Sequence, residues 1–187
     1  MFSCDEEPLS PEEQAAQDLA DDPRPKLLMS MSDDLELTIS LQKFEETVSS
    51  MTFEIIYNPD ALEVASYSGG AFGNPWSNMD VMDVNNNELA YCSFIFSSDI
   101  SGSGDLLKLK FNGSASAYQE STIYIASILL EDASDNTIEL GDALYLQNVC
   151  YIDEGWLIAA ELNLPGPLSE SWEPTNNYVW SNSFCGY

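Results

Sequence analysis

The sequence lacks histidine and is very poor in basic side chains: five Lys and Arg stand against 32 Asp and Glu in 187 residues, for a formal net charge of -27. Without histidine, the chain holds neither a histidine-ligated metal nor a serine–histidine–aspartate triad. Because basic side chains are so few, the acidic chain should repel nucleic-acid phosphates and anionic lipid surfaces rather than bind them. Nucleic acid is therefore excluded as a partner, as is a membrane surface bound directly.

Long apolar runs are also missing, since no segment approaches the ~20 apolar residues of a membrane span. The chain opens Met1-Phe2-Ser3-Cys4 and continues with acids, which is typical of the end of a bacterial lipoprotein signal. In such signals the cysteine carries the lipid. Two interpretations stay open: a lipid on Cys4, which would be the one membrane anchor, or a plain thiol in a loose tail.

The hydrophobic content of 44% and the aromatic content of 11% are ordinary for a folded domain. All five bases lie within residues 23–110, whereas residues 1–22 and 111–187 carry acids only. Such a surface is typical of a protein kept soluble in concentrated salt, where repulsion between carboxylates is screened. We therefore expect a folded acidic protein from a salty exterior.

Calcium is the alternative explanation of the acidity, because hard cations prefer oxygen ligands. Residues 83–88 and 132–136 begin like calcium loops, but both lack the turn glycine and the distal glutamate. We expect hairpin turns at both places. No metal site and no cofactor is predicted, and calcium stays open without a complete motif.

The amino-terminal residues 1–25 form an acidic spacer. Ser10-Pro11-Glu12-Glu13 is a helix start, with a capping serine, a proline in the first turn and a glutamate three residues on. The helix should run to about Ala20 and end before Pro23. It offers few apolar side chains, so we expect it to hold the domain away from its attachment point.

The middle of the chain, residues 26–142, is a succession of short strands with turn signals between them. Helical periodicity does not occur there. The predicted strands are Leu27–Met31, Leu35–Leu41, Met51–Tyr57, Leu62–Tyr67, Val81–Val84, Leu89–Phe96, Leu106–Phe111, Thr122–Leu130 and Thr137–Leu140. This pattern predicts an all-β fold, a nine-stranded jelly-roll β-sandwich.

Particular residues in this stretch resemble the cohesin domain family. Residues 51–64, Met-Thr-Phe-Glu-Ile-Ile-Tyr-Asn-Pro-Asp-Ala-Leu-Glu-Val, are similar to its strand ending in Tyr-Asp-Pro and followed by Leu-Glu-Val, with Asn58 in place of the usual aspartate. Residues 101–111 look like its Gly-Ser-Gly turn and sixth strand. Thr122-Ile-Tyr-Ile and residues 130–138 resemble its closing strands and acidic turn.

The resemblance implies a jelly roll that binds a protein partner, a dockerin module, through one flat sheet face. The face would consist of Met51–Tyr57, Leu89–Phe96, Leu106–Phe111 and Thr137–Leu140. Its outward residues would be Glu54, Ile56, Lys108 and Lys110. The acidic tail and the long extension depart from the family pattern, so a different protein partner stays open.

The two lysines are neighbours on one strand face of a very acidic protein. Lys108 and Lys110 could orient an acidic segment of a partner. The alternative is that lysine merely suits a solvated or edge strand.

Residues 143–187 form an irregular carboxy-terminal extension packed on the sandwich, in which Gly155–Ala160 can add a strand. It holds Trp156, Trp172 and Trp180, while Trp76 lies in the glycine-rich loop 69–77. These rings either form a sugar-stacking platform or pin irregular chain onto the sandwich.

Three cysteines remain besides Cys4. Cys92 lies inside a strand and is predicted to be a small buried apolar side chain. Cys150 and Cys185 bracket the extension, and we expect them to form a disulfide in an oxidising compartment.

No carboxylates stand at a recognisable catalytic spacing, so we expect no enzyme. The leading prediction is a secreted or cell-surface, cohesin-like module that engages a protein partner, dockerin-type or other, in an extracellular assembly. The alternatives are a carbohydrate-binding module of polysaccharide catabolism and a structural subunit of a surface filament or layer.

Overall fold

The computed structural model describes residues 10, 14, 17–18, 20–84, 87–113, 122–138, 145–152 and 155–162. Within these residues the fold consists of ten strands. They are β1 (Lys26–Met31), β2 (Glu36–Val48), β3 (Ser50–Tyr57), β4 (Leu62–Gly69), β5 (Trp76–Val84), β6 (Asn87–Phe96), β7 (Ile100–Gly113), β8 (Thr122–Glu131), β9 (Tyr145–Ile152) and β10 (Gly155–Leu162).

Nine strands follow one hydrogen-bonded order, β4-β7-β2-β1-β9-β8-β3-β6-β5, and β10 pairs with β9. The two ends of this order fold over each other. Tyr57 on β3 meets Phe111 on β7 with ring centroids 5.2 Å apart, and Tyr67 on β4 meets Phe94 on β6 at 5.6 Å. The predicted all-β sandwich is therefore confirmed, with β1, β2, β7 and β4 in one sheet and β8, β3, β6 and β5 in the other.

The core lies between the sheets because alternate side chains of each strand point inward. On β3 these are Met51, Phe53 and Ile55, all fully buried. The Phe53 ring lies 5.6 Å from that of Phe94 and 6.1 Å from that of Phe96. Burying each such ring contributes about 1.5–3 kcal/mol, so the alternating apolar side chains between the sheets are the main source of stability.

Polar turns separate the strands where the sequence predicts them. After β3, the Asn58 carbonyl accepts from the amides of Ala61 and Leu62 at 3.2 and 3.1 Å, and its side chain accepts from the Asp60 amide at 2.9 Å. Strands β5 and β6 pair through Val84 and Asn87, which confirms a hairpin at residues 83–88.

The amino-terminal helix is seen in part. Helical backbone is present at Gln14, Gln17–Asp18 and Ala20–Asp21, and the Gln14 amide donates to the Ser10 carbonyl at 2.8 Å. The rest of the predicted helix lies outside the described residues. Among the described residues, no helix is long and apolar enough to cross a membrane.

The expectations about Trp76 and the start of its strand need correction. Trp76 does not lie in a loop but begins strand β5, and β5 runs from Trp76 to Val84 rather than from Val81. The loop before it packs too tightly for a side chain at Gly69, whose β-carbon would lie 1.7 Å from the Gly73 carbonyl oxygen. This compact glycine loop lets the chain turn and start a strand directly after Pro75.

The end of the sandwich is described in part. Thr137 forms a bridge with Glu131 and the Ile138 amide donates to the Leu130 carbonyl at 2.7 Å, whereas the rest of the predicted strand Thr137–Leu140 lies outside the described part of the chain. The ninth strand in chain order is β9, which pairs in parallel with β1 and antiparallel with β8. Residues 145–152, predicted from the sequence to belong to the extension, thus lie hydrogen-bonded between β1 and β8.

Candidate functional site

The outer face of the sheet β5–β6–β3–β8 is the candidate functional site. The inward residues of β3 lie in the core, so Thr52, Glu54 and Ile56 point outward. Directly opposed residues of antiparallel strands project from the same face. The register therefore extends this outer face onto β5, β6 and β8.

One row of this face carries exposed apolar side chains at its two ends and half-buried side chains between them, and we name it the Trp76 row. Trp76 on β5 opposes Ile95 on β6, Ile95 opposes Thr52 on β3, and Thr52 opposes Leu129 on β8. Trp76 is 63% exposed and Leu129 36% exposed. Since strands lie about 4.8 Å apart, the row spans roughly 14 Å, which is wider than the ~10 Å diameter of a helix.

The next row of the face is polar. Ser93 on β6 opposes Asn78 on β5 and Glu54 on β3. Its neighbours in sequence, Cys92 and Phe94, point into the core, so Ser93 points to the outer face. Ser93 is nevertheless only 7% exposed. The face thus alternates an apolar row with a polar row, which suits a partner that makes both kinds of contact.

Ile56 corrects an expectation about the same face. The alternation of β3 predicts an exposed apolar side chain there, but Ile56 is only 4% exposed. It lies outside the core cluster and opposes Tyr91 on β6, which is half-buried. Alternation assigns a residue to a face, and large cross-strand neighbours on that face decide how much of it stays exposed.

The structure does not bring the four predicted face residues together. Glu54 and Ile56 lie on β3, whereas Lys108 and Lys110 lie on β7, which pairs with β2 and β4 in the other sheet. Lys108 Nζ lies 3.5 Å from an Asp105 carboxylate oxygen, and Lys110 Nζ donates to the Asp34 carbonyl. Both lysines face away from the core, as the alternation of β7 predicts, but from the opposite sheet.

Lys26 on β1 and Lys43 on β2 hold the amino-terminal segment against these two strands, while Arg24 pairs with Asp22 inside the segment. Lys43 Nζ donates to the carbonyls of Ala20 and Asp22 at 2.6 and 2.7 Å, where helical backbone ends. Lys26 is fully buried and donates to the Asp22 and Arg24 carbonyls. We name this arrangement the lysine clasp. Cations suit this position because helix carboxyl ends present unpaired carbonyls.

The clasp also perturbs its ionisable groups. Hydrogen bonds from Arg24, whose Nη2 lies 2.6 Å from Asp22 Oδ2, lower the pKa of Asp22 to about 2. Burial lowers the pKa of Lys26, and the nearby charge of Lys43 adds to this effect.

The clasp lies at β1 and β2, and Lys108 and Lys110 lie on β7 of the same sheet. All five bases of the chain therefore lie off the β5–β6–β3–β8 face.

Cys92 is confirmed as a buried side chain, and its thiol is free. Its Sγ lies 3.9 Å from Tyr57 Oη. Burial raises the pKa of Cys92 to about 11 and also raises the pKa of Tyr57. Both groups are protonated at neutral pH, so neither acts as a nucleophile or base.

Several predicted residues lie outside the described part of the chain: Cys4, Trp172, Trp180 and Cys185. The expected Cys150–Cys185 disulfide therefore stays a prediction. Trp156 and Cys150 lie on the paired strands β10 and β9. Within the described ranges, no three acidic or cysteine side chains group together in a way that could hold a metal ion.

Sequence reasoning missed the Trp76 row. Leu129 stands in the unbroken apolar run Ile128-Leu129-Leu130, which hides that its flanking residues point inward and it points outward. Ile95 lies between Phe94 and Phe96 in an equally unbroken apolar run, so the sequence does not show that its side chain points outward. Only the register of β3 against β6 and β8 brings these residues beside Thr52.

Comparison with known proteins gives one family. The model of the Cohesin domain family matches residues 31–144, more than half of the chain. Among curated proteins, none is a significant match to the chain.

Solved structures of cohesins are similar to this chain at low sequence identity. A non-cellulosomal cohesin of the archaeon Archaeoglobus fulgidus is 19% identical over 62% of this chain and 83% of its own, with a TM-score of 0.44. The cohesin module of a Clostridium perfringens family 33 glycoside hydrolase is 14% identical over 67% and 93%, with a TM-score of 0.44. The sixth cohesin of Acetivibrio cellulolyticus scaffoldin B, solved in complex with a dockerin, is 16% identical over 62% and 89%, with a TM-score of 0.43.

Proposed function

Because this chain belongs to the cohesin domain family, whose members are non-catalytic binding modules, we propose that it engages a protein partner through the outer face of the β5–β6–β3–β8 sheet. The partner is dockerin-type or another component of an extracellular assembly. The expectation that the chain is not an enzyme is confirmed by its family.

The observation that carries the proposal is the exposure of the Trp76 row. A tryptophan that is 63% exposed on a regular strand leaves a large apolar surface in water. Tryptophan is enriched among the residues that dominate binding energy, and truncating such a residue costs about 2 kcal/mol or more. Ile95 and Leu129 extend this surface across the neighbouring strands.

The test is capture of the partner from cells of the source organism by the full chain, followed by affinity measurement with the purified partner. We expect Trp76→Ala with Leu129→Ala to weaken binding by about 30-fold, the equivalent of ~2 kcal/mol. Lys108→Glu with Lys110→Glu, on the opposite sheet, is the control and should leave affinity unchanged. The reverse result would move the partner site to the outer face of β7.

A carbohydrate-binding function is the second candidate, and it rests on the same exposed ring. An exposed tryptophan on a flat sheet can stack on a sugar ring. Binding of a polysaccharide in affinity electrophoresis, lost in Trp76→Ala and kept in the double-lysine control, would favour it. Absence of polysaccharide binding together with capture of a protein partner would leave protein binding alone.

The proposal includes a location outside the cell or at its surface. It is supported by the acidic composition and by the Phe2-Ser3-Cys4 motif, whose cysteine is where a lipid anchor would be attached. Fractionation of the source cells checks this location. Recovery of the protein in the cytoplasmic fraction would contradict it.

A further inference from the structure

We propose that the partner presents an apolar surface flanked by Lys or Arg side chains, so that an apolar contact with the Trp76 row and a salt-sensitive contact with surrounding carboxylates act together. This inference rests on the proposed function, because it concerns the same face. It adds the chemistry of the partner and the response of binding to salt.

Carboxylates stand on both sides of the Trp76 row. Glu54 is two residues from Thr52 along β3, and Glu131 is two residues from Leu129 along β8. Residues two apart on a strand share a face and lie about 7 Å apart. The row therefore has an acid on either flank.

A third carboxylate lies at the Glu131 end. The Ser49 amide donates to the Glu131 carbonyl at 2.9 Å, and the Ser49 hydroxyl lies 3.4 Å from Asp99 Oδ1. Asp99 follows β6, the strand of Ile95, and is exposed. We name Asp99 and Glu131 the acidic rim.

No basic side chain offsets the rim, because all five bases of the chain lie off this face. Three of them form or flank the lysine clasp, and Lys108 and Lys110 lie on the outer face of β7 in the other sheet. An acidic partner surface would meet like charge here. A second copy of this chain, with a net charge of -27, would be repelled for the same reason.

Salt separates the two parts of the contact. The screening length is about 8 Å at 0.15 M and about 3 Å at 1 M, so attraction between rim and partner is weakened strongly at molar salt. Burial of apolar surface is not screened in this way. Binding should therefore lose its charge preference in concentrated salt while the apolar contact persists.

The experiment uses the full chain and two synthetic amphipathic helical peptides as probes. Both peptides carry the same leucine face, flanked by lysines in one and by glutamates in the other. At about 0.15 M NaCl we expect the lysine peptide to bind about tenfold more tightly. At about 2 M NaCl this preference should fall below about threefold.

Matched variants assign the preference to the rim. Asp99→Asn with Glu131→Gln removes the two charges of the acidic rim and should lower the preference for the lysine peptide by about threefold or more. Asp33→Asn with Asp34→Asn removes two charges from the exposed turn between β1 and β2, in the other sheet, and should leave it unchanged. Circular dichroism verifies that both variants are folded.

Equal binding of the two peptides, binding of neither, or an equal effect of both double variants would overturn the inference. The proposed function is judged separately, with the captured partner and Trp76→Ala. If Trp76→Ala loses the captured partner but the two peptides bind equally, the sheet face is kept as the binding site and a basic partner is rejected. Unchanged capture would reject both.

Discussion

At the residue scale, Asp132 shows how one carboxylate organises a turn. Asp132 Oδ1 accepts from the amides of Ser134 and Asn136 at 2.8 and 2.9 Å, and the Asn136 side-chain amide donates to both carboxylate oxygens. The hydrogen bonds from the Asn136 side chain, then from the two backbone amides, lower the pKa of Asp132. This is the hairpin turn that the sequence predicts at residues 132–136, and the Asp132 side chain closes it.

The lowered pKa gives a pH-dependent prediction. A carboxyl whose pKa is lower in the folded state stabilises the protein fully above its unfolded pKa, and this contribution is lost as the pH falls through the folded pKa. We expect Asp132→Asn to lower the free energy of unfolding at pH 7, and the difference from wild type to shrink below about pH 4. Urea denaturation across this range measures it.

Asp135→Asn is the matched control, because it removes the same charge from the same turn. Asp135 has a positive φ of 59°, a conformation that asparagine also adopts well. Its variant should differ little from wild type at any pH. Equal destabilisation by both substitutions would show that net charge, rather than the hydrogen bonds of Asp132, stabilises the turn.

At the scale of strands, local pattern predicted most elements but not their neighbours. The alternation of Leu107, Leu109 and Phe111 with two lysines places the apolar set inward on β7, and the structure agrees. Which sheet β7 joins depends on pairing with β2 and β4, residues distant in sequence. The alternation therefore predicted the direction of Lys108 and Lys110 but not their separation from Glu54.

Strand β5 was predicted too short for a related reason. Its first residues, Trp76-Ser77-Asn78, follow a glycine loop and mix polar with apolar side chains on both faces. An edge strand exposes part of its inward face as well, since Met79 opposes the core residue Cys92 yet is exposed. The contrast between faces that marks a strand in sequence is therefore weak at β5.

The lysine clasp provides a prediction for the amino-terminal helical segment. Lys43 lies in a bulge of β2 with a φ of 57°, and its ammonium binds the carbonyls at the end of the segment. Hydrogen bonds from a charged group contribute about 1.5–3 kcal/mol. We expect Lys43→Met to speed hydrogen exchange at the Asp22 amide, which donates to Asp18, by about tenfold or more.

Lys108→Met is the control for this prediction. It removes the same charge, but from an exposed pair with Asp105 at 3.5 Å, which contributes at most about 1 kcal/mol. Exchange at Asp22 should match that of wild type in this variant. Unchanged exchange in Lys43→Met would mean that the segment is held by other contacts.

At the scale of the whole molecule, the net charge of the chain destabilises its compact fold. A net charge of -27 on 187 residues repels itself in the compact state, and the core must outweigh that repulsion. The bases do little to relieve it, because five of them stand against 32 acids, and none lies on the β5–β6–β3–β8 face. On the sheet face proposed to bind a partner, the charged side chains around the apolar row are therefore all acidic.

This destabilisation predicts that the fold is stabilised by salt. Raising NaCl from about 0.1 to 2 M shortens the screening length to a few ångströms, so we expect the free energy of unfolding to rise by on the order of 1–3 kcal/mol. Denaturation by urea, which is uncharged, measures this at each salt concentration. Because salt also strengthens apolar burial in part, the control is a variant with fewer charges, Asp33→Asn with Asp34→Asn and Glu63→Gln, all at exposed positions. The free energy of unfolding of this variant should rise less with salt than that of wild type. Equal rises in both would assign the effect to apolar burial. No rise in wild type would show that repulsion between carboxylates does not limit the stability of the fold.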